Sequence, residues 1–218
     1  MPRSLALALV VSVAAAAPAV SNDALRVRSS AVASPCVEAA ARVWSAERGR
    51  EVSVETGGLR DEGSWDVLVG AGVEVTRALE GRDAVIGSEV EIATIPWVLR
   101  LSGGAEVRSL SDVVGSGTEI VLPAGPASYE ARRALAEKGQ PRVLETTDAA
   151  RLRSAPVALV PLSLAGSGRQ VAVDVPPIPV SAAVGKRSRQ PVDAADLVRF
   201  LGSERGQDVF AACAAPPQ

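Results

Sequence analysis

The sequence of 218 residues lacks histidine entirely and has few aromatic residues. Phenylalanine, tryptophan and tyrosine together make up 3 % of the chain, so aliphatic side chains must build the core. Without histidine, the chain cannot form Ser-His-Asp or Cys-His catalytic sites, histidine-based zinc sites or C-x-x-C-H haem attachment. The lysines that could replace histidine as a catalytic base, Lys138 and Lys186, lie in polar segments. We therefore expect no enzymatic activity, no metal site and no cofactor.

An excess of charge of either sign is also missing. The chain has 23 Lys and Arg against 25 Asp and Glu, a formal net charge of −2. This balance argues against nucleic acid or another polyanionic surface as the partner. A small anion in a discrete pocket remains compatible with it, because backbone N–H groups can bind an anion without net positive charge. The 47 % of hydrophobic residues is typical of a globular protein with one or two small domains.

The amino terminus has the pattern of a secretory signal peptide. Arg3 supplies a positive charge, residues 5–13 are apolar, and Ala17 and Ala19 form an A-x-A cleavage site. The pattern predicts a signal peptide of residues 1–19, cleaved before Val20, and hence a periplasmic or otherwise exported protein. The alternative is an uncleaved membrane anchor, although the apolar stretch is shorter than the roughly 20 residues that span a bilayer.

Only two cysteines are present, Cys36 and Cys213, near opposite ends of the mature chain. Two cysteines cannot form a four-cysteine zinc site. In an oxidising compartment they could form a disulfide. The alternative is two separate buried thiols, which are common core residues.

Strand-like and helix-like segments alternate along the chain, which is typical of an α/β fold. Residues 25–28 predict a strand, and Ser34-Pro35 predicts the start of a helix, capped by Ser34, that ends at Gly49. Further strands are predicted at 51–55, 66–69, 90–101 around Pro96, 119–122, 157–162 and 171–175. Further helices are predicted at 109–113, at 129–138 with Ser128 as cap, and at 192–213.

Three strand-to-helix junctions are rich in small and hydroxyl-bearing residues. They are Ser29-Ser30…Ser34, Thr56-Gly57-Gly58 and Ala124-Gly125-Pro126…Ser128. In an open α/β sheet, ligands bind at the carboxyl ends of strands, where the N–H groups of helix amino termini point. Converging junctions of this kind would form a neutral pocket for an oxyanion. The alternative is that Ser34 and Ser128 merely cap helices.

Several segments together resemble one protein family, the type II periplasmic solute-binding proteins, and in particular the molybdate-binding proteins of ABC transporters. The segments that carry the resemblance are Trp44–Gly49, Trp65–Val69, Ser109–Val113, Glu119–Leu135 and Pro191–Phe210. The last of these is the most specific, and the resemblance covers the whole mature chain.

The resemblance implies an α/β fold with two lobes, each a mostly parallel sheet flanked by helices, joined by two crossing strands. Lobe 1 would comprise residues 20–95 and 176–218, and lobe 2 residues 96–175. It also implies a monomeric protein that holds a small oxyanion between the lobes and presents it to an ABC-type membrane permease. If the terminal helices fold back on lobe 1, Cys36 and Cys213 could meet. The ligand-binding residues carried over by position are Ser30, Ser34, Thr56, Gly57, Ala124 and Gly125.

The sequence departs from the family pattern at three places. The segment Thr56–Trp65 lacks most of the usual helix, Pro161 stands in a strand where the family has a tyrosine, and the loop Pro123–Ser128 is short. Proline offers neither a hydroxyl nor an N–H donor. Two functions therefore stay open: capture of an oxyanion such as molybdate or tungstate, or a degenerate binding fold that has lost its anion site and binds another small ligand or a protein.

Overall fold

The computed structural model describes residues 24–59, 63–103 and 107–214. The predicted signal peptide lies outside these residues. Within them, no helix is both long enough and apolar enough to cross a membrane.

The described residues form strands and helices in alternation. The strands are β1 (Leu25–Ser29), β2 (Val52–Thr56), β3 (Val67–Ala71), β4 (Val90–Ile95), β5 (Trp97–Leu101), β6 (Glu119–Pro123), β7 (Arg142–Thr146), β8 (Val157–Pro161), β9 (Arg169–Ala172) and β10 (Ile178–Val184). The helices are α1 (Ser34–Arg48), α2 (Gly72–Glu80), α3 (Leu110–Gly115), α4 (Tyr129–Glu137), α5 (Ala149–Ser154), α6 (Pro191–Leu201) and α7 (Glu204–Ala214). Two short 3-10 turns, Pro126–Ser128 and Leu162–Leu164, complete the set.

The strands form two five-stranded sheets, in the orders β2-β1-β3-β10-β4 and β7-β6-β8-β5-β9. We call the first sheet with its helices the first lobe, and the second sheet with its helices the second lobe. The α/β fold is confirmed: each sheet is mixed, but four of its five strands point the same way and only one, β10 or β5, runs against its neighbours. In the first lobe β1 is parallel to β2 and β3, whereas β10 is antiparallel to β3 and β4. In the second, β6 is parallel to β7 and β8, whereas β5 is antiparallel to β8 and β9.

In each sheet the antiparallel strand is the one by which the chain enters that sheet from the other. It leaves the first sheet after β4 and enters the second as β5, with only Pro96 between them. It returns from β9 to β10 through residues 173–177. The strands that these crossings enter, β5 and β10, are the ones that run antiparallel to their neighbours in the sheet. The two crossings are the covalent links between the lobes.

Most of the predicted elements are present, but both predicted serine caps are wrong. Helix α1 ends at Gly49 in the left-handed conformation, as predicted, yet Ala33 precedes its first residue and no side chain caps it. Ser128 precedes α4 but donates to the Pro123 carbonyl at 2.6 Å instead of accepting from α4. Ser109 does cap α3, by accepting from the Asp112 N–H at 3.2 Å. No sequence pattern predicted α2, β7, α5 or β10, and β9 begins and ends earlier than the strand predicted at 171–175.

Contacts between distant parts of the chain hold the first lobe together. Cys36 of α1 and Cys213 of α7 form a disulfide across a sequence separation of 177, so the pairing is confirmed. The indole N–H of Trp44 donates to Asp196 of α6 at 3.0 Å. These two links join the first long helix to both terminal helices, which is what the predicted folding-back of the terminal helices requires.

Candidate functional site

A cavity of about 180 Å³ lies between the two lobes, where four strands end. Ser30 follows β1 and Glu74 lies on α2, directly after β3; Ala124 follows β6 and Thr147 follows β7. The cavity is lined by Ser30, Ala31, Val32, Glu74, Pro123, Ala124, Gly125, Ala127, Ser128, Thr146, Thr147, Ala149, Leu152, Arg153 and Leu164. This is the carboxyl-end position at which open α/β sheets bind ligands. Since one water occupies about 30 Å³ of liquid volume, the cavity has room for a small ligand.

Ser30 presents a buried hydroxyl to this cavity. The residue is 3 % exposed, and its Oγ has no hydrogen bond of standard geometry within the described part of the chain. The backbone of Ser30 is fully engaged, because its N–H donates to the Val69 carbonyl at 2.9 Å and its carbonyl accepts from Ala33 and Ser34 at 3.0 Å. Buried polar groups in native proteins almost always have a partner. A buried hydroxyl that lacks one, in a cavity, therefore points to a ligand.

Backbone N–H groups supply further donors around the cavity. Among the described residues, no group accepts a hydrogen bond from the N–H of Ala31, Val32, Gly125 or Thr147. Ala31 and Val32 lie in the turn that leads through Ala33 into the 15-residue helix α1, whose amino terminus carries a partial positive charge. Gly125 has a φ of 130°, which a residue with a side chain rarely adopts. The cavity therefore combines donors from both lobes.

The six residues carried over from the resemblance do not all reach the cavity. Ser30, Ala124 and Gly125 line it, although the N–H of Ala124 is engaged with the Thr146 carbonyl at 2.8 Å. The other three, Ser34, Thr56 and Gly57, are not among its lining residues. The hydroxyls of Ser34 and Thr56 bond to each other at 2.5 Å, and the Gly57 N–H donates to the Ser29 carbonyl at 2.9 Å.

Two arginines and one tryptophan fill the space beside the Thr56-Gly57 junction. The guanidinium groups of Arg26 and Arg28 lie 4.4 and 4.7 Å from the centre of the Trp65 ring. Arg28 also donates to the Gly58 carbonyl at 3.1 Å and packs so closely on Gly57 that a Cβ there would collide with its guanidinium. Cation–π contacts thus fill the space beside this junction.

Glu74 is the acidic group of the cavity, and sequence reasoning missed it. Its Oε2 accepts the Ala71 N–H at 3.0 Å. Burial raises the pKa of the Glu74 carboxyl, while the nearby Ser30 hydroxyl, the Ala71 N–H and Arg77 act in the opposite direction. The signal in the sequence was a fourth small-residue junction, Gly70-Ala71-Gly72, at the end of β3. A side chain at Gly70 would lie 3.0 Å from both Ser30 Oγ and Glu74 Oε2.

The second lobe contributes a cation, Arg153, on helix α5. This helix is held in place by Arg100, whose side chain donates to the carbonyls of Leu152 and Ala155 at 2.6 and 2.8 Å. Arg100 is 3 % exposed, and burial lowers its pKa. Because those carbonyls belong to α5 and its end, the buried arginine fixes the helix that carries Arg153.

A second groove of about 300 Å³ adjoins the cavity at Ala127. It is lined largely by apolar residues, together with the polar residues Arg77, Tyr129, Glu130 and Arg132. The indole nitrogen of Trp97, which also lines the groove, is buried and has no hydrogen-bond partner among the described residues. The groove could receive a ligand part that extends beyond the cavity.

Comparisons with known proteins identify the fold. No protein-family model and no curated protein sequence matches the chain. Among solved structures, the periplasmic molybdate-binding protein of Azotobacter vinelandii has a TM-score of 0.76 at 16 % identity, covering 89 % of this chain and 100 % of that one. The substrate-binding domain of a putative molybdenum ABC transporter from Clostridium difficile has a TM-score of 0.64 at 18 % identity, covering 86 % and 95 %.

A third match is the sulfate-binding protein SubI from Mycobacterium tuberculosis H37Rv, with a TM-score of 0.69 at 15 % identity, covering 88 % and 85 %. These similarities confirm that the chain has the fold of the type II periplasmic binding proteins. The resemblance seen in the sequence is therefore confirmed for the fold.

Proposed function

We propose that this protein is an exported solute-binding protein that captures a small anion between its lobes and presents it to an ABC-type membrane permease. The observation that carries the proposal is the buried Ser30 hydroxyl, which lines a cavity between the lobes without a hydrogen-bond partner among the described residues. The N–H groups of Ala31, Val32 and Gly125 lie around the same cavity.

Neutral donors suffice for an anion in such a site. Helix α1 begins beside the cavity, and the partial charge at its amino terminus favours an anion there. Arg153 adds one formal positive charge from the second lobe. A ligand bound by both lobes contacts them together only when they are closed, so it stabilises the closed arrangement through differential contacts.

The ligands of the structurally similar proteins support a small anion in general, but they do not favour one particular anion. Besides the molybdate-binding and sulfate-binding proteins, they include PEB3 bound to L-phospholactate and AfuA bound to fructose-6-phosphate. Another, HitA, is bound to iron. We therefore keep molybdate and tungstate as candidates beside sulfate and phosphate. Ser30, Ala124 and Gly125 remain as proposed contact residues, whereas Ser34, Thr56 and Gly57 are proposed to shape the wall behind them.

Ligand screening on the purified mature protein tests this proposal. We expect at least one of molybdate, tungstate, sulfate or phosphate to bind in calorimetry and to raise Tm. A ligand at about 100 times its Kd stabilises the folded state by roughly 2.7 kcal/mol. For a chain of this size the corresponding rise in Tm is about 5–11 °C. Flat calorimetric traces with all four anions at millimolar concentration would contradict the proposal.

One observation favours the alternative, a degenerate fold that binds a different partner. At the Thr56-Gly57 junction the polar groups are engaged within the protein. The hydroxyl of Thr56 bonds to that of Ser34, and the Arg28 side chain covers Gly57. A protein that needed all three junctions for its anion would be impaired by these contacts. Flat traces with the four anions would favour this alternative.

A further inference from the structure

We propose that the groove of about 300 Å³ beside the cavity is a second ligand site, which binds a small aromatic carboxylate and thereby raises the affinity of the cavity for its anion. Its volume reaches the lower end of the range of about 300–1,000 Å³ that is typical of small-molecule sites. The groove and the cavity share the lining residue Ala127 and otherwise have different walls. The inference goes beyond the proposed function, because it concerns a different ligand at a different place.

The indole N–H of Trp97 is a donor without an acceptor at this groove. Trp97 lines the groove and is 2 % exposed, and its Nε1 has no hydrogen-bond partner within the described part of the chain. The N–H of a buried tryptophan usually has a partner. Because the indole N–H can only donate, the group that it lacks is an acceptor, such as a carboxylate oxygen.

The walls of the groove suit an apolar ring. Four prolines line it, namely Pro126, Pro176, Pro177 and Pro179. Proline has no N–H, so these residues present apolar ring surface and no backbone donor. Val73 of the first lobe and Tyr129 of the second also line the groove, and they are 41 % and 61 % exposed. A planar apolar body packed against these side chains would cover them from water.

The charges at the groove favour an anion. Glu130 forms an ion pair with Arg133 at 2.9 Å, and Arg132 donates to both carboxylate oxygens of Glu145 at 2.9 and 3.0 Å. Arg77, by contrast, forms no hydrogen bond or ion pair within the described residues. The amino terminus of α2, with its partial positive charge, also lies in the wall. A carboxylate matches this positive charge and supplies an acceptor for the indole N–H.

The groove lies where the two lobes and both crossings meet. Its walls include residues of α2 in the first lobe and of α4 in the second. Trp97 directly follows the crossing at Pro96, and Pro176 and Pro177 belong to the return crossing. A ligand that contacts all four parts binds best in the arrangement that brings them together. Since the cavity is formed between the lobes in this same arrangement, each ligand raises the affinity for the other by the same factor.

Benzoate and phenylacetate are the probes for the groove, and acetate and benzyl alcohol are their controls. Acetate has the carboxylate without the ring, and benzyl alcohol has the ring without the charge. In proton–nitrogen correlation NMR spectra of the full mature chain, we expect benzoate or phenylacetate to shift the indole N–H signal of Trp97 and not those of Trp44 and Trp65. The probe that does so should bind at least about tenfold tighter than either control, because each control lacks the charge-assisted hydrogen bond or the apolar contact.

Two variants that each remove one buried indole N–H test the role of Trp97. Trp97→Phe keeps an aromatic ring in the groove without the donor, so the affinity for benzoate should fall about tenfold. Trp65→Phe also removes an N–H that is buried and has no partner among the described residues, but Trp65 does not line the groove, so the affinity should stay unchanged. Since the chain has three tryptophans, Trp44→Phe and Trp65→Phe assign the Trp97 signal even if Trp97→Phe does not fold.

Calorimetry with two ligands tests the coupling. Saturating benzoate should tighten the binding of whichever inorganic anion binds the wild type by about fivefold or more. Competition between benzoate and that anion would show that the groove is an extension of the cavity, and it overturns the second site; an unchanged affinity overturns the coupling. A Trp97 signal that neither aromatic acid shifts overturns the site and leaves the proposed function standing. If no inorganic anion binds, the proposed function fails, whereas a shifted Trp97 signal still supports the groove as a site.

Discussion

Ser163 of the second lobe donates a hydrogen bond to the carbonyl of Val32 in the first lobe, at 2.7 Å. Ser163 lies in the 3-10 turn Leu162–Leu164, and Val32 lies in the turn that leads into α1. Both turns contribute to the cavity wall, through Leu164 and Val32. The bond therefore joins the lobes at the edge of the cavity and is made only when they are close together.

Removing this bond should weaken ligand binding more than it weakens the fold. We expect Ser163→Ala to lower affinity by about 0.5–1.5 kcal/mol, the net value of one hydrogen bond, because it destabilises the closed arrangement. Calorimetry with whichever anion binds the wild type measures this. Ser203→Ala is the matched control, since Ser203 donates to the Phe200 carbonyl within one lobe at 2.6 Å. It should lower Tm and leave the affinity unchanged; a similar loss of affinity in both variants would contradict the role of Ser163.

Ser30 and Ser34 should respond differently to the same substitution. Ser30→Ala removes a hydroxyl that lines the cavity and should weaken anion binding by about 1.5–3 kcal/mol, the range for a hydrogen bond to a charged group. Ser34→Ala breaks a bond to Thr56 outside the cavity lining. It should lower the free energy of unfolding by about 0.5–1.5 kcal/mol and leave affinity almost unchanged. Binding measurements and urea unfolding of both variants test this, and a larger loss of affinity in Ser34→Ala would reverse our assignment.

Glu74 should make stability depend on pH in a defined direction. Its pKa is raised in the folded state, above the ordinary value of 4.5, so between the two values the folded protein binds more protons than the unfolded one. Stability contributed by this group therefore falls as pH rises through that window. In ligand-free protein, Glu74→Gln should raise Tm at neutral pH, and this gain should vanish as the pH falls below 4.5.

Thermal unfolding between about pH 4 and pH 8 measures this dependence. Glu80→Gln, an exposed change on the same helix, serves as the control and should show no such trend. A Tm difference between wild type and Glu74→Gln that stays constant across this range would show that burial of Glu74 has no effect on stability.

The disulfide between Cys36 and Cys213 should contribute a large part of the stability. It closes a loop of 177 residues, and cross-links of such long loops restrict the unfolded chain strongly. The Cys36→Ala/Cys213→Ala double variant should lose about 2–5 kcal/mol, which lowers Tm by about 5–20 °C. A reducing agent should lower the Tm of the wild type similarly and leave the variant unaffected. Two free thiols in denatured, unreduced wild-type protein would contradict the bond.

Local sequence determined the elements whose signals lie within a few neighbouring residues. Gly49 ends α1 because glycine adopts the left-handed conformation without steric cost. Ser109 caps α3 because its acceptor and the Asp112 N–H are three residues apart. The alternation of such segments predicted the α/β fold and the terminal helical segment, and the resemblance added the division into two lobes. Elements without a sharp local pattern, such as α2 and β10, were not predicted.

The tertiary structure alone decided which hydroxyls and carboxylates face the cavity. Ser30 and Ser34 are equivalent by sequence, but Thr56, 22 residues from Ser34, engages the Ser34 hydroxyl, whereas the Ser30 hydroxyl faces the cavity. Nothing in the sequence distinguishes Glu74 from other helix residues. Its carboxylate lies beside Ser30 because α2 packs at the end of β3. Local periodicity indicates the class of the fold and the absence of histidine excludes several kinds of site, because both can be determined from the sequence alone. The site depends on which polar groups from distant parts of the chain form hydrogen bonds with one another, and only the packing of the folded chain decides that.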